Sequence, residues 1–197
     1  MRPSNHNEPL PVFSMGTFFE TQAKKRNGIP MTVDQFIEAV RSDRYREQVS
    51  SIHHDRATQH YADSLSVSED LPIFYPIGDI SDSFKRRDLE VNTGLAVYRL
   101  DFRNPNDVAD VLAHLRAWSC CKAYFSNCRG HIIALIYLGN DLNHKNWVAR
   151  YREAAATLNH TLPHVGFIGS PRMIRGILLS YDPMAYCRPD GELTALP

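Results

Sequence analysis

The order of the elements predicted for the second half of the chain restricts the possible folds more than any other feature. Residues 94–102 are predicted to form a strand, and Asn104-Pro105 then supplies a helix N-cap followed by proline at the first helical position. Two strands follow, "KAYFS" and "HIIALIYL", joined by the turn "NCRG". An amphipathic helix, "HKNWVARYREAAATL", precedes a last strand, "IRGILLSY". The predicted order is therefore β-α-β-β-α-β.

That order is typical of a split βαβ arrangement, in which two helices cover one face of an antiparallel sheet. We therefore expect an α+β fold with a ferredoxin-like or palm-like βαββαβ core. Ala96, Tyr98, Leu100 and Phe102 would pack under the helices, because alternate residues of a strand share a face. The opposite face of the sheet would then be open.

The first half of the chain adds an arm and helices to this core. Residues 1–30 are expected to form an N-terminal arm that could include one short strand, and residues 31–197 a single domain. Thr32 is the predicted N-cap of the first additional helix, with Gln35 completing a capping box. The segment "SVSEDLPIFYPIGD" is predicted to be a loop that exposes Phe74 and Tyr75.

Composition excludes few functions, but it bears on the binding partners and the cellular location of the protein. Lys and Arg (22) balance Asp and Glu (22), so no overall field attracts nucleic acid or membrane. No apolar run approaches the length of a membrane span, and we expect no membrane partner. The adjacent Cys120 and Cys121 make a poor disulfide pattern, so the four cysteines are interpreted as reduced thiols of a cytoplasmic protein.

A charged pair interrupts the apolar strand "GLAVYRLDF". Arg99 and Asp101 lie two residues apart and therefore on one face of the strand. Three interpretations are open: a structural salt bridge, a grip on phosphate or another substrate group, and the remainder of an acidic pair that binds metal.

Several segments between about Met31 and Leu193 form a recognisable set: "FIEAVRSDRYREQVSSI", "LPIFYPIGDIS", "NTGLAVYRLDF", "AYFSNCRGHIIALIYL" and "RMIRGILLSYDPMAYCRPDGEL". Together they resemble the VirE N-terminal domain family, the primase-polymerase-like domains of mobile-element and phage replication proteins. The resemblance implies a domain that binds single-stranded nucleic acid or nucleotides, with a helicase or another replication protein as a possible partner. An active member would transfer nucleotides with Mg²⁺ or Mn²⁺.

The chain departs from this family at the positions that should bind metal. The family strand usually ends in an Asp-x-Asp pair, whereas here Arg99 replaces the first acid and only Asp101, the candidate catalytic residue, is kept. The following turn keeps Ser126 but has Arg129 where small residues are usual, and the last strand keeps Arg175 but has Arg172 at the acidic position. Because arginine repels divalent cations, we expect a catalytically degenerate domain with no assigned cofactor and no assigned metal site.

The same substitutions suggest what the domain binds. Guanidinium groups suit phosphate, and the resemblance also implies that a histidine near His131 contacts nucleotide phosphate. The candidate phosphate-binding residues are therefore Arg99, Ser126, Arg129, His131, Arg172 and Arg175. An active metal-dependent nucleotidyltransferase and a non-enzymatic protein-interaction scaffold remain the alternatives.

Two other groups of residues have structural interpretations that compete with chemical ones. Cys120, Cys121, Cys128 and His131 could suggest zinc, but they lack a Cys-x-x-Cys spacing and fall across a strand and a turn, which favours buried thiols. Asp182 could be a late catalytic carboxylate, but Asp-Pro favours a turn.

Overall fold

The computed structural model describes most of the chain. The described residues are 15–20, 28–57, 70–77, 93–102, 104–140, 142, 144–162, 165–168 and 175–196. The α-helices are α1 (Val33–Arg41), α2 (Arg46–Ala57), α3 (Val108–Ala117) and α4 (His144–Thr161). The strands are β1 (Met15–Phe19), β2 (Ile29–Thr32), β3 (Ile73–Tyr75), β4 (Leu95–Phe102), β5 (Cys121–Ser126), β6 (Ile132–Tyr137), β7 (Val165–Ile168), β8 (Ile177–Leu178) and β9 (Tyr186–Cys187). Helices and strands together make an α+β fold, as predicted.

The larger sheet contains the strands predicted for the second half of the chain. Its strand order is β7-β4-β6-β5-β9, and every neighbouring pair is antiparallel. The element order from β4 to β7 is strand, helix, strand, strand, helix, strand, as predicted. The prediction of the last strand was wrong. β7 occupies that place beside β4. Of the predicted strand, residues 175–181 are described, and within them the strand is Ile177–Leu178, which pairs with β3 in the other sheet.

The two helices of this unit pack on one face of the larger sheet. Trp147, Tyr151, Ala154 and Leu158 of α4 and Val111 and Leu115 of α3 are buried with Ala96, Tyr98 and Leu100 of β4. The rings of Tyr98 and Tyr151 stack at a centroid distance of 4.5 Å, and the Tyr98 hydroxyl donates to the backbone oxygen of Tyr151 at 2.8 Å. The predicted inward face of β4 is therefore confirmed.

The opposite face of the larger sheet is largely covered, contrary to the expectation of an open face. Val33, Phe36, Ile37 and Val40 of α1 are fully buried, and they belong to the same core cluster as Leu95, Val97, Phe125, Ile133 and Leu135 of the larger sheet. The apolar alternation of β4 to β6 continues on this face, so a second layer is needed to shield it from water.

That second layer includes a smaller sheet with the order β2-β1-β3-β8. β1 lies within residues 1–30 and pairs with both β2 and β3. The segment predicted to be a loop with exposed aromatics contains β3, and Phe74 and Tyr75 are buried. Pro72 and Pro76 flank β3 at its two ends, where proline removes no ladder donor from the middle of a strand.

Helix α1 begins where the sequence indicated. The Thr32 side chain accepts a hydrogen bond from the backbone N–H of Gln35 at 3.1 Å, and the Gln35 side chain accepts one from the Thr32 N–H at 2.9 Å. This capping box satisfies two backbone donors at the helix N-terminus. Among the described residues, no helix has both the length and the apolar character needed to cross a membrane.

Candidate functional site

A pocket of about 230 Å³ lies between the two sheets. One wall comes from the larger sheet, a second from the β5–β6 turn, and a third from the segment that leads into β8. The lining residues are Ile73, Val97, Arg99, Asn127, Cys128, Arg129, Ile133, Arg175, Gly176, Ile177 and Leu178. Three of them are arginines and none of these described lining residues is acidic. We call this cavity the arginine pocket.

The three arginines reach the pocket from separate parts of the fold. Arg99 lies on β4, Arg129 on the β5–β6 turn and Arg175 just before β8. Their convergence depends on the contact between the two sheets, since Arg175 is brought there by the pairing of β8 with β3. Three arginines that line one cavity create a positive potential that attracts an anion, and Asp101, 3.9 Å from Nε of Arg99, offsets it in part.

The turn that carries Arg129 is held by its own hydrogen bonds. The Asn127 side-chain oxygen accepts from the backbone N–H groups of Arg129 and His131, both at 2.9 Å. Gly130 has a φ of 78°, in the left-handed region that glycine adopts without strain. Cys128 is buried with Val49 and Ile52 of α2, which fixes the turn against that helix. The turn is therefore a preformed element that presents Arg129 at its exposed tip.

Beside the pocket, Asp101 is flanked by two basic side chains. Its Oδ1 lies 2.6 Å from Nδ1 of His131 and 3.9 Å from Nε of Arg99. The side chains of Asp101 and His131 are 29% and 26% exposed, so the pair is half-buried at the rim. Asp101 thus presents its carboxylate to basic groups, which is a poor setting for capturing a divalent cation.

Ser126 does not line the arginine pocket. Its backbone N–H donates to Oδ2 of Asp182 at 2.7 Å, and the other oxygen of Asp182 accepts from the N–H of Met184 at 2.9 Å. Asp182 therefore organises a turn and joins it to the end of β5, as the structural interpretation predicted. The remaining predicted phosphate ligand, Arg172, lies outside the described residues.

The described residues contain no cluster of metal-binding side chains that would support the zinc interpretation. Among the described residues, no group of three or more His, Cys, Asp or Glu side chains could hold a metal ion. All four cysteines are free thiols. Burial raises the pKa of Cys120 and of Cys187 to about 12, which keeps both sulfurs protonated near neutral pH.

A second charged cluster, which the sequence analysis did not single out, surrounds Lys122. The Lys122 side chain is fully buried, and its Nζ lies 2.6 Å from Asp190 Oδ1 and 3.1 Å from Asp34 Oδ2. Nζ also donates to the backbone oxygen of Arg188 at 2.7 Å. Desolvation by burial tends to lower the pKa of Lys122, but the hydrogen bonds to Asp190 and Asp34 raise it above its usual value. We call this group the lysine cluster.

A local irregularity in β5 accompanies the lysine cluster. The pairing of β5 with β6 shifts register between Cys121 and Ala123, which is the position of Lys122. A shift of this kind redirects a side chain relative to its neighbours. The sequence feature that could have indicated this cluster is a lysine inside an otherwise apolar strand. A buried ammonium needs partners, so such a lysine predicts nearby acceptors.

Comparison with known proteins does not assign this site. No family model matches the chain, and no curated protein or solved structure matches it either.

Proposed function

We propose that the chain is a primase-polymerase-like domain, degenerate at its catalytic acids, that binds phosphate groups of nucleotides or single-stranded nucleic acid in the arginine pocket. The observation that carries the proposal is the convergence of Arg99, Arg129 and Arg175 on one cavity. Arginine forks bind phosphate oxygens through paired, charge-assisted hydrogen bonds. Most of a nucleic acid's affinity for protein comes from such phosphate contacts.

The topology supports the fold part of this proposal. The four strands of the β4–β7 unit stand in the order β7-β4-β6-β5, with each connecting helix joining strands that are not neighbours. A ferredoxin-like or palm-like core has this split βαβ connectivity. Because one fold hosts many functions, the binding proposal depends on the pocket rather than on the topology.

The surroundings of Asp101 favour binding over nucleotide transfer. A two-metal mechanism requires carboxylates that share a divalent cation, and Arg99 stands where the resemblance places the partner acid of Asp101. The contact of Asp101 with His131 at 2.6 Å further engages the remaining carboxylate. Mg²⁺ or Mn²⁺ would enter only if the domain were active. A cytoplasmic location, which the cysteine pattern suggests, and a helicase or another replication protein as partner, which the resemblance implies, belong to the same proposal.

Binding should be measured with the full chain and a fluorescent single-stranded oligonucleotide at several salt concentrations. We expect an affinity that falls as salt rises, since phosphate contacts release counterions. Arg99→Gln should weaken binding about tenfold, the loss expected when one charge-assisted contact is removed. The matched control is Arg152→Gln, which removes an exposed arginine from α4 on the other side of the larger sheet.

A primer-synthesis assay with Mn²⁺ tests the degenerate interpretation separately. We expect no extension by the native chain. Metal-dependent synthesis that is lost in Asp101→Asn would show an active nucleotidyltransferase and would overturn the degenerate assignment.

A further inference from the structure

We propose that the arginine pocket recognises a terminal phosphate, a phosphomonoester at the end of a nucleotide chain or on a free nucleotide, in preference to an internal phosphodiester. This inference rests on the proposed function and specifies the chemical group that the site takes. Two observations carry it: the number of arginines that line the cavity, and the size and walls of the cavity.

The charge of the pocket matches a monoester better than a diester. Three arginines line the cavity, and the carboxylate of Asp101 beside it lies 3.9 Å from Nε of Arg99, so three positive charges stand against one negative charge. A phosphomonoester carries about −1.5 to −2 charges near pH 7 and offers three strong acceptor oxygens. An internal diester carries a single negative charge and two non-bridging oxygens, so it offers these arginines less charge and one strong acceptor oxygen fewer. Charge-assisted hydrogen bonds that only the monoester can make discriminate between the two ligands.

The size of the pocket suits an end group. Its volume of about 230 Å³ lies below the roughly 300–1,000 Å³ of sites that enclose a drug-sized ligand. The wall at Gly176 is closely packed, because a Cβ there would lie 2.5 Å from Cδ1 of Ile73 and 2.7 Å from Cζ of Tyr75. The apolar lining comes from both sheets, with Val97 and Ile133 facing the β8 segment. Such a cavity holds a phosphate and part of a sugar while the rest of the ligand remains outside.

The test compares three single-stranded oligonucleotides of one sequence, bearing a 5′-phosphate, a 3′-phosphate or hydroxyls at both ends, and a nucleoside monophosphate. We expect at least one phosphorylated end to bind about tenfold more tightly than the hydroxyl-ended strand, the gain expected from one added charge-assisted contact. The two phosphorylated strands distinguish the ends, and competition by the monophosphate distinguishes a free nucleotide from a strand end.

Variants connect this preference to the pocket. Arg175→Gln should remove the preference for a phosphorylated end, whereas Arg152→Gln should keep it. Arg129→Gln is a second variant, since Arg129 is exposed at a turn tip and its replacement is not expected to disturb folding. Equal affinity for phosphorylated and hydroxyl-ended strands would overturn the terminal-phosphate inference and leave the proposed binding function standing. Absence of binding to every strand and to the monophosphate would overturn both.

Discussion

The lysine cluster and the arginine pocket place cations in opposite environments. Lys122 is fully buried, and its one ammonium group is surrounded by two carboxylates and a backbone oxygen within 3.1 Å. In the arginine pocket, three arginines line a cavity whose described lining residues include no carboxylate, and Asp101 beside it lies 3.9 Å from Nε of Arg99. The first arrangement already satisfies its positive charge within the chain. The second concentrates positive charge around a space that a ligand can enter.

This difference explains why charge alone does not identify a binding site. A buried ammonium must be paired, because an unpaired charge in the interior costs several kcal/mol. The bonds of Lys122 join α1, β5 and the turn around Asp190, so the group holds distant parts of the chain together. A group of cations around an accessible cavity instead contributes little to folding and gains its energy when an anion binds. The lysine cluster should therefore control stability, and the arginine pocket should control affinity.

The largest expected effect comes from Lys122→Met. The substitution keeps a similar side-chain volume but leaves Asp34 and Asp190 without their shared ammonium partner. Because the side chains of Asp34 and Asp190 are 53% and 31% exposed, water can solvate their carboxylates, and the expected cost is that of lost hydrogen bonds to a charged group, about 2 kcal/mol. We expect the free energy of unfolding, measured by urea denaturation, to fall by that amount. A change below about 1 kcal/mol would show that the cluster behaves as a surface ion pair and would break the comparison.

Alkaline pH should lower the free energy of unfolding, because titrating groups in and near the lysine cluster then lose their protons. Burial raises the pKa of Cys120 from its usual 9.0 to about 12, and the pKa values of Cys187 and Lys122 are also raised. The unfolded chain therefore loses these protons first, so the stabilisation is complete below pH 9 and is lost as the pH rises toward 12. For Cys120 alone, the loss at about pH 10.5 is about 2 kcal/mol.

Urea denaturation of the native chain and of Cys120→Ala at a series of alkaline pH values measures this contribution. The variant should lose less stability than the native chain between about pH 8 and about pH 10.5, since it lacks one titrating thiol. Parallel pH profiles for the two proteins would contradict the assignment of the effect to Cys120.

The features predicted correctly from the sequence are those set by local patterns. The capping box of Thr32 and Gln35 depends on two residues three apart, and the β4-to-α4 order depends on apolar periodicity within each segment. The short strand β7 was missed, because its four residues include a glycine and give little periodic signal. The strand β3 was missed because its flanking prolines were interpreted as loop residues.

The features that could not be predicted depend on contacts between distant segments. Lys122 and Asp34 are 88 residues apart, and nothing near either residue specifies the other. The covering of the second sheet face by α1 is likewise a property of tertiary packing. The resemblance grouped four arginines, and the structure places Arg99, Arg129 and Arg175 around one pocket. The pocket itself required the pairing of β8 with β3, which the predicted last strand had excluded.

Arg129→Gln tests whether a residue of the arginine pocket controls affinity rather than stability. Because Arg129 is exposed at a turn tip, its replacement should change the free energy of unfolding by less than about 0.5 kcal/mol. Affinity for a single-stranded oligonucleotide should fall about tenfold, or about 1.4 kcal/mol. The paired measurement is urea denaturation with a binding titration on the same preparation. Lost stability with unchanged affinity would place Arg129 in the same structural class as Lys122.

The smallest expected effect comes from Asn127→Ala, which tests whether the turn presents Arg129 in a fixed position. The substitution removes the oxygen that accepts from the N–H groups of Arg129 and His131 but leaves every arginine in place. The hydrogen bond from Arg129 is exposed and the one from His131 is half-buried, so water replaces the lost oxygen in part, and the expected loss of stability is about 1 kcal/mol. Affinity should fall by a smaller factor than in Arg129→Gln, because the guanidinium remains but must be ordered on binding. The matched control is Ser126→Ala. This substitution alters a neighbouring side chain outside the pocket and retains the backbone N–H that bonds to Asp182. If Asn127→Ala and Ser126→Ala bind the oligonucleotide as tightly as the native chain, the turn does not preorganise the site, and the arginine charges alone account for its affinity.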